Sequence, residues 1–167
     1  YVFFGERECS IQRRNQKVIE EAPSPFINNE TRMLMGAQAI SLAKEVNYHS
    51  AGTVEFIVDE NQNFYFLEMN TRLQVEHPVT ELVYNVDLVE KMIEISSGKK
   101  LDLLQSEVKC NGHAVESRIY AEDPFKSFLP STGRLSKYKP PHEIQTENEI
   151  IRNDTGVYEG GEISIYY

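Results

Sequence analysis

The chain has 167 residues, 40% of them apolar and 26% charged, with a formal net charge of −9. Such a composition is ordinary for a globular protein; the acidic balance argues against a nucleic-acid surface but leaves local basic clusters able to bind small anions. No apolar run approaches the roughly 20 residues of a membrane-spanning helix, no signal peptide is visible, and Cys9 and Cys110 are too far apart to give a metal spacing or a disulfide framework.

Both thiols are read as reduced, which suits a bacterial cytoplasm or a mitochondrial matrix. The length allows one domain or parts of two. The chain starts on Tyr1 and ends on the apolar run Ile163-Ser164-Ile165-Tyr166-Tyr167. Both ends read as cuts through strands, so a piece of a longer protein is expected.

Tyr1-Val2-Phe3-Phe4 is expected to be a strand. The run from Glu6 to Lys17 follows, with Arg13, Arg14 and Lys17 interleaved with Gln12, Asn15 and Gln16. Read as a strand, it puts Gln12, Arg14 and Gln16 on one face and Arg13, Asn15 and Lys17 on the other. Three cations in five residues suit an anion; they equally suit a solvated face pairing with Glu6, Glu8, Glu20 and Glu21. Ala22-Pro23-Ser24-Pro25 breaks the chain. Residues 30–47 then read as an amphipathic helix, with apolar positions 33, 34, 37, 40, 43 and 46 as its buried stripe and Asn28 or Asn29 as its cap.

Two alternating runs come next, Thr53–Asp59 and Phe64–Asn70, around the polar tetrapeptide Glu60-Asn61-Gln62-Asn63. This is a hairpin pattern. With a four-residue loop, Ile57 faces Phe66 and Glu55 faces Glu68, and Asn70 lies on the same side as Glu68. The opposite face, Val54, Phe56, Val58, Tyr65, Leu67 and Met69, reads as core. Directly opposed side chains have Cβ atoms about 5 Å apart, and two ionised carboxylates that close repel unless a cation lies between them. Glu55, Glu68 and the Asn70 amide oxygen would suit Mg²⁺ or Mn²⁺ bridged to a phosphate; otherwise the acids face water. Ile57 and Phe66 could support a flat ring.

Thr71–Pro78 reads as an irregular loop ended by Pro78. It gathers Arg72, Gln74, Glu76 and His77 beside the proposed ligands. Arg72 could hold an anion and Glu76 could take a proton if its surroundings raise its pKa, or the two could be a surface pair. Asp87 starts a second helix, with Glu90 at capping-box spacing. Its stripe is Leu88, Val89, Met92, Ile93 and Ile95, and Gly98 ends it. Residues 112–122 read as a strand with Glu116, Arg118 and Tyr120 on one face, Arg118 either entering a site or pairing with Glu116. A short strand is expected over 134–138, and two or three more over 149–167. A domain boundary is placed near 104, giving domains 1–104 and 105–167.

Three groups of residues together resemble the biotin carboxylase family of ATP-grasp ligases. They are Glu6 to Lys17; Glu55 with Phe66-Leu67-Glu68-Met69-Asn70-Thr71-Arg72-Leu73-Gln74-Val75-Glu76-His77-Pro78-Val79-Thr80-Glu81; and Ala121-Glu122-Asp123-Pro124 through Leu135. The likeness covers nearly the whole chain, and the stretch from Glu68 to Glu81 is its most specific part. It implies an α/β (α+β) architecture: the C-terminal half of an ATP-grasp domain, then the start of a β-rich biotin carboxylase C-terminal domain. It also implies an enzyme that uses ATP and bicarbonate to carboxylate biotin on a carrier domain through carboxyphosphate. Such an enzyme works in an oligomeric acyl-CoA carboxylase with a carboxyltransferase partner. By matched position, Glu55, Glu68 and Asn70 would hold divalent metal. Lys17, Arg72 and the Val75 N–H would meet bicarbonate, with Glu76 as base, and Gln74 would be among the cofactor-binding residues. Arg118 would stabilise charge on biotin, Gln12 and Asn15 would meet the ribose, and Ile57 would pack on adenine. Many relatives carry His where this chain has Asn15, which weakens that contact. The family's first domain, its glycine-rich lid and its phosphate-gripping lysines match nothing here, so this piece alone is expected to be inactive. Two rival expectations are another carboxyphosphate-forming ligase and a non-catalytic assembly module.

Overall fold

The computed structural model describes residues 1–164; Ile165, Tyr166 and Tyr167 of the terminal apolar run lie outside them. The chain divides into two compact units, residues 1–118 and residues 119 onward. The first contains two sheets, three α-helices and a 3-10 turn at Gln105–Glu107. Strands β1 (Glu8–Arg13), β2 (Gln16–Ala22) and β5 (Ala114–Ser117) form an antiparallel sheet in the order β1-β2-β5. Strands β3 (Thr53–Val58) and β4 (Phe64–Asn70) form a separate antiparallel hairpin. The helices are α1 (Asn29–Glu45), α2 (His77–Tyr84) and α3 (Leu88–Ser96).

The expected strand at residues 1–4 does not form. The Phe3 backbone is satisfied instead by the Gln105 side chain, which accepts from the Phe3 N–H at 2.8 Å and donates to its carbonyl at 2.9 Å. The Phe3 ring lies against α1 at Gly36, where a Cβ would overlap it. The cation run is not a continuous strand either. Arg14 and Asn15 both take positive φ, 53° and 62°, in a two-residue turn that pairs Arg13 with Gln16 and Gln12 with Lys17. A turn with two left-handed positions favours Asn, so Asn15 and Arg14 sit at a hairpin tip rather than on opposite strand faces.

Helix α1 starts one residue before the expected span, its end capped by the Asn28 side chain, which accepts from Thr31 N–H at 2.8 Å. Its buried residues are Thr31, Met35 and Gly36, while Met33 and Leu34 are exposed, so the expected stripe is wrong in phase. Pro78 does not end a loop. It lies in the first turn of α2, where a missing N–H costs nothing. Val79 and Val83 of this helix pack with Ala22 and Ala114 in the core of the unit. Asp87 caps α3 by accepting from Glu90 N–H at 2.8 Å. None of the α3 residues is buried, however, and Val89 and Ile93 of the expected stripe are exposed.

In the β3–β4 hairpin, Glu55 is opposite Glu68 and Thr53 is opposite Asn70. Beyond Glu55 the register shifts by one: Phe56 pairs with Phe66 and Ile57 with Tyr65, leaving Leu67 as a bulge. The turn is also shorter than expected. Asp59 N–H donates to the Asn63 carbonyl, so residues 60–62 make it, with Gln62 at φ 67°. Ile57 and Phe66 therefore do not face each other, and the supposed core face is open, with Tyr65 and Leu67 both exposed.

Strand β5 stops at Ser117, so Arg118 and Tyr120 are not on a strand with Glu116. Among the described residues the second unit holds a 3-10 turn at Pro124–Lys126 and two-residue strands: β6 (Glu122–Asp123) with β7 (Leu129–Pro130), β8 (Gly133–Arg134) with β11 (Glu162–Ile163), and β9 (Ile144–Gln145) with β10 (Ile150–Ile151). The strand expected over 134–138 is thus only its first residue and Gly133.

Candidate functional site

Five parts of the first unit converge: the start of β2, the middle of β3, the end of β4, the loop 71–76, and the residue after β5. Lys17, second in β2, donates through Nζ to Glu55 Oε1 at 2.8 Å and to Glu76 Oε1 at 2.6 Å. Arg118 Nη2 donates to Glu76 Oε2 at 2.7 Å and lies 2.8 Å from Glu20 Oε1. Each oxygen of Glu76 therefore holds a cation, and the residue is only 2% exposed. It also precedes α2, whose N-terminal dipole favours a negative charge there. Arg118 reaches it because the Arg118 N–H donates to the Val18 carbonyl at 2.9 Å, which continues the β2–β5 ladder by one bond.

Glu55 Oε1 accepts from three groups: Lys17, Gln74 Nε2 at 2.8 Å and Asn70 Nδ2 at 3.2 Å. The same Asn70 nitrogen donates to Glu68 Oε1 at 3.0 Å. The amide thus sits between two opposed carboxylates, at the place a cation would take. Arg72 Nη2 reaches Asn70 Oδ1 at 3.4 Å, and its Nη1 donates to the Leu73 carbonyl at 3.1 Å.

The electrostatics follow from these contacts. Burial alone would push the Glu76 carboxyl up, but the Lys17 hydrogen bond, a backbone hydrogen bond and the nearby cations hold it below the usual carboxylate range. Glu55 behaves likewise: burial opposes ionisation, and Lys17 and Gln74 more than offset it. For Lys17, burial favours loss of the proton, yet the bonds to Glu55 and Glu76 keep it firmly charged. Glu20 is different. It is 0% exposed, and burial pushes its carboxyl up despite Arg118 beside it. Cys9 is raised to about 11, chiefly by burial, with Lys17 and Arg7 opposing; it is a thiol here, not a nucleophile.

The structure therefore joins Lys17, Glu55, Asn70, Gln74, Glu76 and Arg118 in one network, with Glu68 and Arg72 attached through Asn70. Arg72 and Glu76 are not a surface pair, and Arg118 pairs with Glu76 and Glu20. The condition set for Glu76 as proton acceptor, a raised pKa, is reversed. Gln12 is the cross-strand partner of Lys17, but its side chain donates to the Cys9 carbonyl at 2.9 Å. Asn15 lies at the hairpin tip, and Ile57 and Val75 are exposed. Two residues tied to the network escaped sequence reasoning. Glu20 is brought to Arg118 by pairing opposite Glu116 on β5. Arg7, read only as part of an acidic–basic run, binds Gln74 Oε1 at 2.6 Å.

Glu55, Glu68 and Asn70 fit a divalent cation. Two opposed acids already share one small polar group, and turning the Asn70 amide over presents a third oxygen to the same point. No group of three or more His, Cys, Asp or Glu side chains that could hold a metal ion occurs among the described residues, so any metal would rest on this mixed acid–amide set.

Comparison with known proteins gives two matches to family models. The model described as "Carbamoyl-phosphate synthase L chain, ATP binding domain" matches residues 1–104, and "Biotin carboxylase C-terminal domain" matches residues 116–167. The propionyl-CoA carboxylase alpha chain of Ruegeria pomeroyi is 60% identical over 99% of this chain and 27% of its own length. The mitochondrial propionyl-CoA carboxylase alpha chain of Homo sapiens is 59% identical over 99% of this chain and 22% of its own length. The chain thus spans about a quarter of the length of these relatives. Among solved structures, the biotin carboxylase domain dimer of Hydrogenobacter thermophilus 2-oxoglutarate carboxylase, in complex with MgADP, ADP and bicarbonate, superposes with a TM-score of 0.91. It is 48% identical, over 98% of this chain and 35% of that one. Kluyveromyces lactis urea carboxylase superposes with a TM-score of 0.89 at 46% identity, over 98% of this chain and 14% of that one.

Proposed function

The chain belongs to the biotin carboxylase family of ATP-grasp ligases, and from that premise we propose that it supplies the metal wall and bicarbonate end of a biotin carboxylase site. The reaction assigned to the whole protein transfers the γ-phosphoryl group of ATP to bicarbonate, giving ADP and carboxyphosphate. Carboxyphosphate breaks down to CO₂ and phosphate; the phosphate takes the proton of the ureido N–H of biotin on a carrier domain, and that nitrogen attacks the CO₂. A carboxyltransferase partner then passes the carboxyl group to an acyl-CoA, propionyl-CoA by the likeness above. The setting is an oligomeric carboxylase of a bacterial cytoplasm or a mitochondrial matrix. Within the chain the proposed domain division is 1–104 and 105–167.

Glu55, Glu68 and Asn70 would hold Mg²⁺ or Mn²⁺. A divalent cation held there would supply the positive charge that phosphoryl transfer needs beside the phosphates. The chain's own residues do the rest. Lys17, Arg72, Gln74 and the Val75 N–H seat bicarbonate, the guanidinium by a two-point contact. Glu76 takes its proton. A carboxylate held below its ordinary range is fully ionised at neutral pH, so it is ready as an acceptor. The cations that keep it ionised also lower the pKa of a bicarbonate seated beside them, which makes the transfer less uphill. Arg118 is assigned to the negative charge developing on biotin. Gln12 and Asn15 are assigned to the ribose and Ile57 to the adenine.

The observation that carries this reading is Glu76, nearly sealed from solvent, with Lys17 on one oxygen and Arg118 on the other. Its test is ATP cleavage by the full-length protein dependent on bicarbonate and free biotin. Glu76→Gln should lower kcat at least 100-fold, given the usual yield of general acid–base catalysis, about 10²–10⁴. Cleavage that uses ammonia rather than biotin as acceptor would assign the chain to a different carboxyphosphate-forming ligase.

A further inference from the structure

One guanidinium outside the proposed catalytic set is built into it. Arg7 precedes β1, and three of its hydrogen bonds reach distant parts of the first unit. Nη1 donates to Thr80 Oγ1 of α2 at 2.9 Å; Nη2 donates to Thr53 Oγ1 of β3 at 3.1 Å and to Gln74 Oε1 at 2.6 Å. Thr80 and Gln74 are buried, 3% and 6% exposed. A side-chain amide has one accepting end and one donating end. With a cation on Oε1, Nε2 has to face away from it, and it does, donating to Glu55 Oε1 at 2.8 Å. The opposite amide orientation would set NH₂ against the guanidinium and the carbonyl against the carboxylate, so both contacts would become repulsive. Thr53 is also the cross-strand partner of Asn70, so the same guanidinium braces the strand position opposite one of the three oxygen donors.

We propose that Arg7 is a positioning residue which, by fixing the orientation of the Gln74 amide, holds the Glu55 carboxylate in place to receive a divalent cation. The proposal rests on the reading of Glu55 as a metal ligand. Arg7 makes no hydrogen bond to Glu55; the side chain that links it to that carboxylate is Gln74.

The test uses this chain, Mn²⁺ alone as the probe, and the variants Arg7→Met, Gln74→Met and the two combined. Mn²⁺ affinity is read by calorimetry and the Gln74 side-chain amide by ¹⁵N–¹H resonance. Groups that orient a metal ligand commonly contribute about 10–100-fold in affinity, so Arg7→Met should weaken Mn²⁺ binding about 10-fold and Gln74→Met by a similar factor. The double variant should be no weaker than the weaker single one, and the Gln74 amide resonance should move toward the free-amide position in Arg7→Met. If Arg7→Met does not fold, Arg7→Lys keeps the charge without the fork and should give the same pattern in smaller measure. Full additivity of the two substitutions, or an unmoved Gln74 resonance, would overturn the proposal. Failure of wild-type chain to bind Mn²⁺, or equal binding by Glu55→Gln, would overturn the ligand reading and with it the purpose given to Arg7; the resonance would still decide the Arg7–Gln74 link separately.

Discussion

Glu76 and Glu20 flank the same guanidinium with opposite electrostatic consequences. The Glu76 carboxyl lies below its ordinary range, so its pairing stabilises the fold fully above the unfolded-state value near 4.5 and is lost as pH falls through the lower folded value. Glu55 adds a contribution of the same sign. Glu20 is raised, so its contribution is complete below 4.5 and is lost as pH rises through the raised folded value. At pH 7, Glu76→Gln should cost about 3 kcal/mol, since it leaves two cations partly buried without their shared acceptor. Glu20→Gln should cost nothing. Urea midpoints checked from pH 7 down to pH 3 should show the wild type approaching Glu76→Gln at the acid end. A Glu20→Gln variant as unstable as Glu76→Gln would contradict this account. Glu76 was legible from its run of neighbours. Glu20 was not, because its place depends on β2 pairing with β5, and nothing in the sequence announces a ladder between strands so far apart.

At the scale of elements, the close approach of the Phe3 ring to Gly36 sets the sign of a substitution. Ala is the better helix former by about 1 kcal/mol, yet a Cβ there would overlap the ring. Gly36→Ala should therefore destabilise by about 1–3 kcal/mol, as overpacking does. Adding Phe3→Leu should recover most of the loss, and thermal melts of the two variants check both statements. Removing the Asn28 cap as Asn28→Ala should cost about 1 kcal/mol. The β3–β4 hairpin shows how far pattern reading reaches. The opposition of Glu55 and Glu68 was legible from alternation. The bulge at Leu67 was not, because one extra residue leaves a sequence that still alternates while its pairing slips. The helix α2 was hidden by Pro78, which ends a helix or begins one depending only on which side the helical bonds fall.

For the whole molecule, all the contacts described for Lys17, Glu20, Glu55, Asn70, Gln74, Glu76 and Arg118 lie within residues 1–118. A protein of residues 1–118 should therefore bind Mn²⁺ within about twofold of the 167-residue chain, a difference of about 0.4 kcal/mol at most. Much weaker binding would move part of the site into the second unit. The same 167 residues should not cleave ATP in a biotin-dependent way, since they correspond to 27% of the Ruegeria relative; turnover above background in a phosphate-release assay would refute that. Overall composition set the class of the molecule correctly but said nothing about where it divides. The mixture of helices and strands was legible; the openness of the β3–β4 faces was not, because alternation reports which residues could be buried and not what covers them.

Glu76 also has a consequence for timing. One side chain with a single negative charge tethers an ammonium on one oxygen and a guanidinium on the other. Neutralising that charge would slacken both tethers in the same instant, leaving Lys17 its bond to Glu55 and Arg118 its contact with Glu20. Two contacts from different parts of the first unit would then loosen on one trigger.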